Sequence, residues 1–248
     1  MSVDFSEKNL FVVIDAGNTS VKIGVYKNED LIKSHDIQSE AEFIATDLPK
    51  NALAMISSVR SSTDRLFIRI QEKYPDAYVL NHETALPYRI KFGAETGADR
   101  IALCVGALRS GLADTPKLII AVGTCITYNY LSADQNFIGG AISPGYKMRL
   151  EAMHHFTGKL PLIHLNDDIP EEVNRTTQHN MISGVHYGIQ DEIEGRIGRF
   201  LKENPKAEVF LTGGGHFRLV NTTKYKIFAD PNLLLNGLRF ILQHNCSL

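Results

Sequence analysis

The sequence is short of the features that mark secreted, membrane-bound or nucleic-acid-binding chains. It has three cysteines in 248 residues, at Cys104, Cys125 and Cys246, too few and too scattered for a disulfide framework or a zinc site. No apolar run reaches the ~18 residues of a membrane span. The opening MSVDFSEKNL carries acids early and has no apolar signal core. Lys plus Arg total 26 against 28 Asp plus Glu, a formal charge of −2, so the basic footprint of a nucleic-acid or anionic-membrane partner is missing. The glycosylation pattern at Asn18, Asn174 and Asn221 means little without secretion, and Cys246 stands one position off a prenylation signal. Neither G-x-x-x-x-G-K-[ST] nor G-x-G-x-x-G occurs, nor H-E-x-x-H. The adjacent His154 and His155 point apart on a helix and are expected to be structural or superficial. These absences leave a soluble, cytoplasmic protein without membrane or nucleic-acid partners as the expectation.

What is present is an internal repeat. With 44% of its residues apolar, the chain can bury a large core. FVVIDAGNTSVKIGVY (11–26) is echoed by KLIIAVGTCITYNYL (117–131). Each reads as a buried strand, a glycine turn and a second strand rich in β-branched and aromatic residues. The repetition predicts two related α/β domains, 1–115 and 116–248, with the hinge near SGLADTPK at 110–117. NALAMISSV and DAYVLN read as further strands around a helix in TDRLFIRIQEKYP. In DRIALCVGALRSGLA, Ile101, Val105, Leu108 and Leu112 recur at helical spacing. Residues 177–203 place Ile182, Val185, Ile189, Ile193, Ile197 and Phe200 on one helical face. AEVFLTGGGHF reads as a strand, a glycine turn and a helix start, and NLLLNGLRFILQHN as a closing helix. Ligand sites are expected where strand ends face an interdomain cleft.

The turns offer phosphate ligands. Backbone N–H groups on a tight glycine turn can hold an anion because no Cβ blocks its approach. Gly17, Asn18 and Thr19 form one such turn, Gly123 and Thr124 the other. Asp15 beside the first turn makes sense if magnesium lies between it and the phosphates, and Lys22 would neutralise further charge. A plain hairpin turn explains either one alone; two in one chain favour a nucleotide clamp. TGGG at 212–215 is a third turn, suited to a flat base or ribose, or simply to a strand-to-helix change. Asp99 and Arg100 open a predicted helix. Asp99 is either its N-cap or a general base, and Arg100 either a solvated residue or a carboxylate fork.

D-A-G-N-T at 15–19, G-A-D-R at 97–100, G-T-C-I-T at 123–127, GGAISPG at 139–145 and T-G-G at 212–214 occur in one order. That series resembles the type III pantothenate kinases, members of the actin, sugar-kinase and Hsp70 superfamily. RLEAMHHFTGKLP (149–161) also resembles the family's segment after its proline-glycine turn. The resemblance implies two ribonuclease-H-like, actin-like ATPase domains with the nucleotide in the cleft, and a homodimer. It further implies transfer of the γ-phosphate of ATP, with Mg2+, to the terminal hydroxyl of pantothenate, the first step of coenzyme A synthesis. Asp15, Ala16, Gly17, Asn18, Thr19, Ser20, Val21 and Lys22 then match the first phosphate motif, with Asp15 on magnesium through water. Thr124 matches a second ATP contact, and Gly213 and Gly214 the adenosine motif. Gly97, Ala98, Asp99 and Arg100 match the pantothenate motif, with Asp99 the proton acceptor and Arg100 on the carboxylate. Thr177 matches a threonine that reaches pantothenate across the dimer interface. The tyrosine that precedes G-A-D-R in the family has Phe92 or Tyr88 as its counterpart.

One departure stands out. The family's aspartate for a monovalent cation is Ala121 here, and a second acidic position is Asn129. Weak dependence on K+ or NH4+ is therefore expected. The other reading, a regulatory or binding paralogue like the Bvg accessory factors, is opposed by Asp15, Thr19, Asp99, Arg100 and Thr124, all retained. A kinase for a sugar or small carboxylate is opposed by G-A-D-R.

Overall fold

A computed structural model of the chain describes residues 10–164, 169–215, 219 and 223–246. Asn221, His216 and Phe217, singled out above in sequence patterns, lie outside the described residues. The chain forms two compact units. The first ends at Ser110 and regains the chain from Asn232 onward, and the second is Gly111–Pro231.

In the first unit, β1 (Leu10–Ala16), β2 (Val21–Lys27) and β3 (Asp30–Ile37) form an antiparallel meander, followed by α1 (Glu40–Ala45) and β4 (Leu53–Ser58). Then come α2 (Arg65–Lys73), the short β5 (Tyr78–Val79) and α3 (Ala98–Ser110). The sheet order is β3-β2-β1-β4-β5, with β1 and β4 parallel. Strand β1 is buried on both faces, so its sequence is a continuous apolar run rather than an alternation. Val12, Ile14 and Ala16 pack with Phe43 of α1 and Phe67 and Ile70 of α2. Phe11 and Val13 face the other way, onto Ile101 and Val105 of α3. Asp64 caps α2, its carboxylate accepting from the Phe67 N–H at 2.9 Å.

The second unit repeats the plan. Its strands are β6 (Lys117–Val122), β7 (Cys125–Leu131), β8 (Phe137–Pro144), β9 (Glu208–Thr212) and β10 (Phe228–Ala229). The sheet order β10-β9-β6-β7-β8 is the first unit's order read from the other edge. Helices α4 (Tyr146–His155) and α5 (Thr177–Glu203) come between β8 and β9. The predicted apolar face of α5 is buried, Ile182, Val185, Ile189, Ile193, Ile197 and Phe200 all packing with Leu118, Ile120 and Val122 of β6. His154 and His155 are exposed on α4.

Two expectations are corrected. Leu112 lies beyond the end of α3 and is 67% exposed, because the helix stops before Gly111 and the chain turns into the next unit. The closing helix α6 (Leu233–Cys246) falls by the sequence repeat in the second half, 116–248, yet it packs in the first unit. Its Leu238, Ile241 and Leu242 join the cluster of Phe11, Val13 and Ile101, and Asn236 accepts a hydrogen bond from the Tyr26 hydroxyl at 2.8 Å. The helix returns because the α3 face of the first sheet needs a second cover, which no local pattern reveals.

Candidate functional site

Side chains alternate along a strand, so Asp15, two residues after Val13, projects on the α3 face of the first sheet. In register it stands opposite Lys22 on β2 and Ser57 on β4. Ser57, fully buried, donates its hydroxyl to Asp15 Oδ1 at 3.2 Å. The first turn of α3 brings Asp99 toward the same place. Asp99 lies back over Gly97, where a Cβ would stand 2.5 Å from its Oδ1. A side chain in place of the glycine of G-A-D-R would push the aspartate's carboxylate aside. Gly97 also accepts, through its carbonyl, from the N–H groups of Arg100 and Ile101 at 3.0 and 3.2 Å. Asp99 therefore stands inside the first turn, not at the cap.

Burial first, and the charge of Asp99 second, push the Asp15 carboxyl from 3.8 up to about 7, while Ser57 and Lys22 pull the other way. Two carboxyl groups crowded in this way fit a divalent cation. Magnesium takes hard oxygen ligands and keeps several waters, and its charge would offset what burial and Asp99 impose on Asp15. Two side chains here carried no signal in the sequence. Ser57 reaches Asp15 only through the parallel pairing of β1 with β4. Arg60 places Nη2 3.5 Å from the Asn18 carbonyl in the first glycine turn and pairs with Asp64 at 3.0 Å, its side chain only 11% exposed.

In the second unit three glycine turns converge on the end of β6. Gly123 donates its N–H to Cys125 O at 3.0 Å, and Gly145 donates to Thr124 O at 3.0 Å. A Cβ on Gly145 would stand 2.2 Å from Gly123 O and 2.7 Å from Thr124 O; the Pro144–Gly145 turn rests directly on the Gly123–Thr124 turn. Gly213, at φ +91, passes over Val122, and Gly215 donates to Val122 O at 3.0 Å. Three motifs far apart in the chain thus form one backbone-lined surface, the N–H groups of Gly123, Gly145 and Gly215 holding the turns together.

The position equivalent to Asp15 is Ala121, in register with Thr127 on β7 and Thr212 on β9. Asn129 is fully buried and its amide donates to Ile119 O at 3.5 Å. No carboxylate stands at this position, so the residues do not fit a fixed monovalent cation held by an acid. Among the described residues no group of three or more His, Cys, Asp and Glu could hold a metal ion, and no helix is long and apolar enough to cross a membrane.

Of the other candidates, Tyr88 is half-buried and packs against Phe240 of α6, ring centroids 5.9 Å apart, and Phe92 packs against the same core cluster. Phe92 is half-buried and closer in sequence to Gly97. Thr177 is exposed in the first turn of α5, next to Thr176, whose hydroxyl caps the helix by accepting from the His179 N–H at 3.3 Å.

Comparison with known proteins agrees with this geometry. Residues 11–199 match the family model described as type III pantothenate kinase. A type III pantothenate kinase of Christiangramia forsetii is 34% identical over 241 residues, 94% of this chain and 98% of the relative. One from Cytophaga hutchinsonii is 35% identical over 242 residues, 94% of this chain and 99% of the relative. Among solved structures, a Campylobacter jejuni protein assigned to the Baf family of transcriptional activators superposes with TM-score 0.63 at 19% identity, covering 96% of this chain and all of that one. The activator of 2-hydroxyisocaproyl-CoA dehydratase from Clostridium difficile, solved with bound ADPNP, gives TM-score 0.52 at 13% identity, covering 95% and 93%. These two likenesses concern the fold alone.

Proposed function

The chain belongs to the type III pantothenate kinase family, and from that membership we propose how its own residues divide the work. It is a kinase that uses ATP to phosphorylate pantothenate on an alcohol group, in coenzyme A biosynthesis. The observation that carries the residue assignment is the pairing of Asp15 with Asp99. Separate elements, the end of β1 and the start of α3, bring two carboxyl groups close enough for one to raise the other's pKa.

In this reading the first unit supplies charge. Asp99 accepts the proton of the pantothenate hydroxyl as its oxygen attacks the γ-phosphorus and the bond to ADP breaks. Arg100 grips the pantothenate carboxylate with its planar fork. Asp15 anchors magnesium, which when bound would neutralise phosphate charge, and Ser57 and Lys22 orient Asp15. Asn18, Thr19 and the neighbouring backbone hold phosphate oxygens. The second unit supplies backbone: the Gly123–Thr124 turn takes further phosphate oxygens, and Gly213 and Gly214 lie against the adenosine. Phe92 lines the pantothenate pocket. Thr177, exposed as it is, serves a second copy of the chain in a homodimer, and family membership supports that assembly and a cytoplasmic setting. With Ala121 in place of an acid, no monovalent cation enters the scheme.

The test is coupled ADP release by the purified protein with magnesium-ATP and pantothenate, with and without potassium. Pantothenate-dependent turnover in both conditions is expected. A steep potassium requirement would overturn the reading of Ala121, and ATP binding without turnover would favour a regulatory protein.

A further inference from the structure

Glu192, midway along α5, is the hub of a polar network behind the second phosphate turn. Its Oε1 accepts from the Tyr128 hydroxyl at 2.8 Å and from Ser143 Oγ at 2.7 Å, joining β7 and β8 to the helix. Its Oε2 pairs with Arg149 Nη2 of α4. Arg149 continues the chain of contacts, donating Nε to Pro144 O at 2.8 Å and approaching Ser143 Oγ with Nη2 at 3.5 Å. Arg196 lies over the Tyr128 ring, 4.2 Å from its centroid, with Nε 3.7 Å from Glu192 Oε1. Pro144 is the residue before Gly145, whose N–H holds Thr124 O. The path from Glu192 to the phosphate turn therefore runs through two side-chain contacts and one main-chain hydrogen bond.

We propose that Glu192 and Arg149 are positioning residues for ATP, fixing the Pro144–Gly145 turn against the Gly123–Thr124 turn so that the latter is held in place for the phosphates.

Three features support this role over simple packing. Arg149 and Glu192 each retain 23% side-chain exposure, so neither is needed to fill the core. Burial works against the charge of Glu192, yet donors from Ser143, Arg149 and Tyr128 outweigh it and hold the carboxyl below its ordinary range; the hub stays ionised at neutral pH. The arginine spends one nitrogen on the acid and another on a backbone carbonyl, a bridging geometry that a lysine cannot reproduce. Preorganised donors bind charge without having to rearrange when the ligand arrives.

This inference rests on the Gly123–Thr124 turn being an ATP contact, and the experiment separates the two. Amide hydrogen exchange on the protein without nucleotide, at Gly145 and Gly123, reads the relay directly. Glu192→Gln, which keeps the shape, and Arg149→Met should each speed Gly145 exchange about ten-fold while leaving Leu211 in β9 unchanged. In steady-state assays both should raise the KM for ATP about five- to ten-fold, with kcat and the KM for pantothenate moving little. Arg149→Lys should fall between, because it keeps the charge and loses the bridge. Unchanged exchange at Gly145 in both variants overturns the relay. Faster exchange with an unmoved KM for ATP also overturns the proposal, and Thr124→Ala then says where it failed. A raised KM in Thr124→Ala keeps the turn as an ATP contact and removes the relay. An unmoved KM there removes the Thr124 hydroxyl from ATP binding and confines any contact at this turn to its backbone.

Discussion

The two units share a strand order and a turn position but put their charge at opposite ends of the equivalent strand. In the first, β1 begins apolar, with Phe11 beside Leu53, and ends in Asp15 beside Lys22 and Ser57. In the second, β6 begins with Lys117 beside Glu208 and ends in Ala121 beside Thr127 and Thr212. Lys117 is 1% exposed; its ammonium reaches Glu208 Oε2 at 3.1 Å, Leu112 O at 2.6 Å and Thr115 O at 3.0 Å. The same scaffold therefore carries charge at the turn end of one sheet, where the proposed chemistry lies. In the other it carries charge at the far end, where it ties down the chain entering the unit. At the turn end of the second sheet, backbone takes over from side chains.

The comparison breaks most visibly at Asp99, the proposed general base. Asp99→Asn should lower turnover by ~10²–10⁴ and leave the KM for ATP nearly unchanged. Unaltered turnover would take Asp99 out of the mechanism. The far end of the second sheet is tested by Lys117→Met, which strands the buried Glu208 carboxylate and should cost about 3–5 kcal/mol in urea unfolding. Copying the first unit's pair, Lys117→Phe with Glu208→Leu, should recover most of that loss. If it recovers none, the hydrogen bonds to Leu112 and Thr115, not the charge pair, are what the site needs.

Asp15 offers a smaller test with a definite sign. Its folded pKa, about 7, is above the ordinary 3.8, so between about pH 4 and 7 the unfolded chain releases a proton that the folded one keeps. This group's contribution to stability falls as pH rises through that window. Without nucleotide or metal, Asp15→Asn should therefore raise the melting temperature at pH 8 and leave it unchanged at pH 4, while abolishing most turnover. A mutant that melts lower at pH 8 would contradict the cost that burial, and then Asp99, impose on the Asp15 charge. The smallest effect is expected from Ala121→Asp, which places at the second turn the acid that the first one has. Potassium titration should stimulate this variant about two- to three-fold and the parent not at all. An equal response in both would mean that oxygens other than a carboxylate serve the ion.

Much of this was legible in advance because it is local. The doubled hairpin, the 27-residue helix α5 with its buried isoleucines, and the glycine turns each follow from periodicity and turn chemistry within one stretch of chain. Leu112 misled because it continues the spacing of α3 by accident, and spacing says nothing of where a helix stops. Ser57, Arg60, Arg149 and Glu192 were silent because each acquires meaning from a partner far away in the chain. Phe92 and Tyr88 look alike in sequence, and both pack half-buried against the same core cluster.

By itself, then, the sequence determined the class of fold, the repeat, the positions of the turns and the carboxylates at Asp15 and Asp99, since these depend on neighbours a few residues apart. Tertiary structure decided that α6 covers the first sheet and that three glycine turns meet at Val122. It also decided that Asp15 feels Asp99. Those outcomes depend on which faces need burial and on which strands lie side by side, and burial is settled by the whole chain at once.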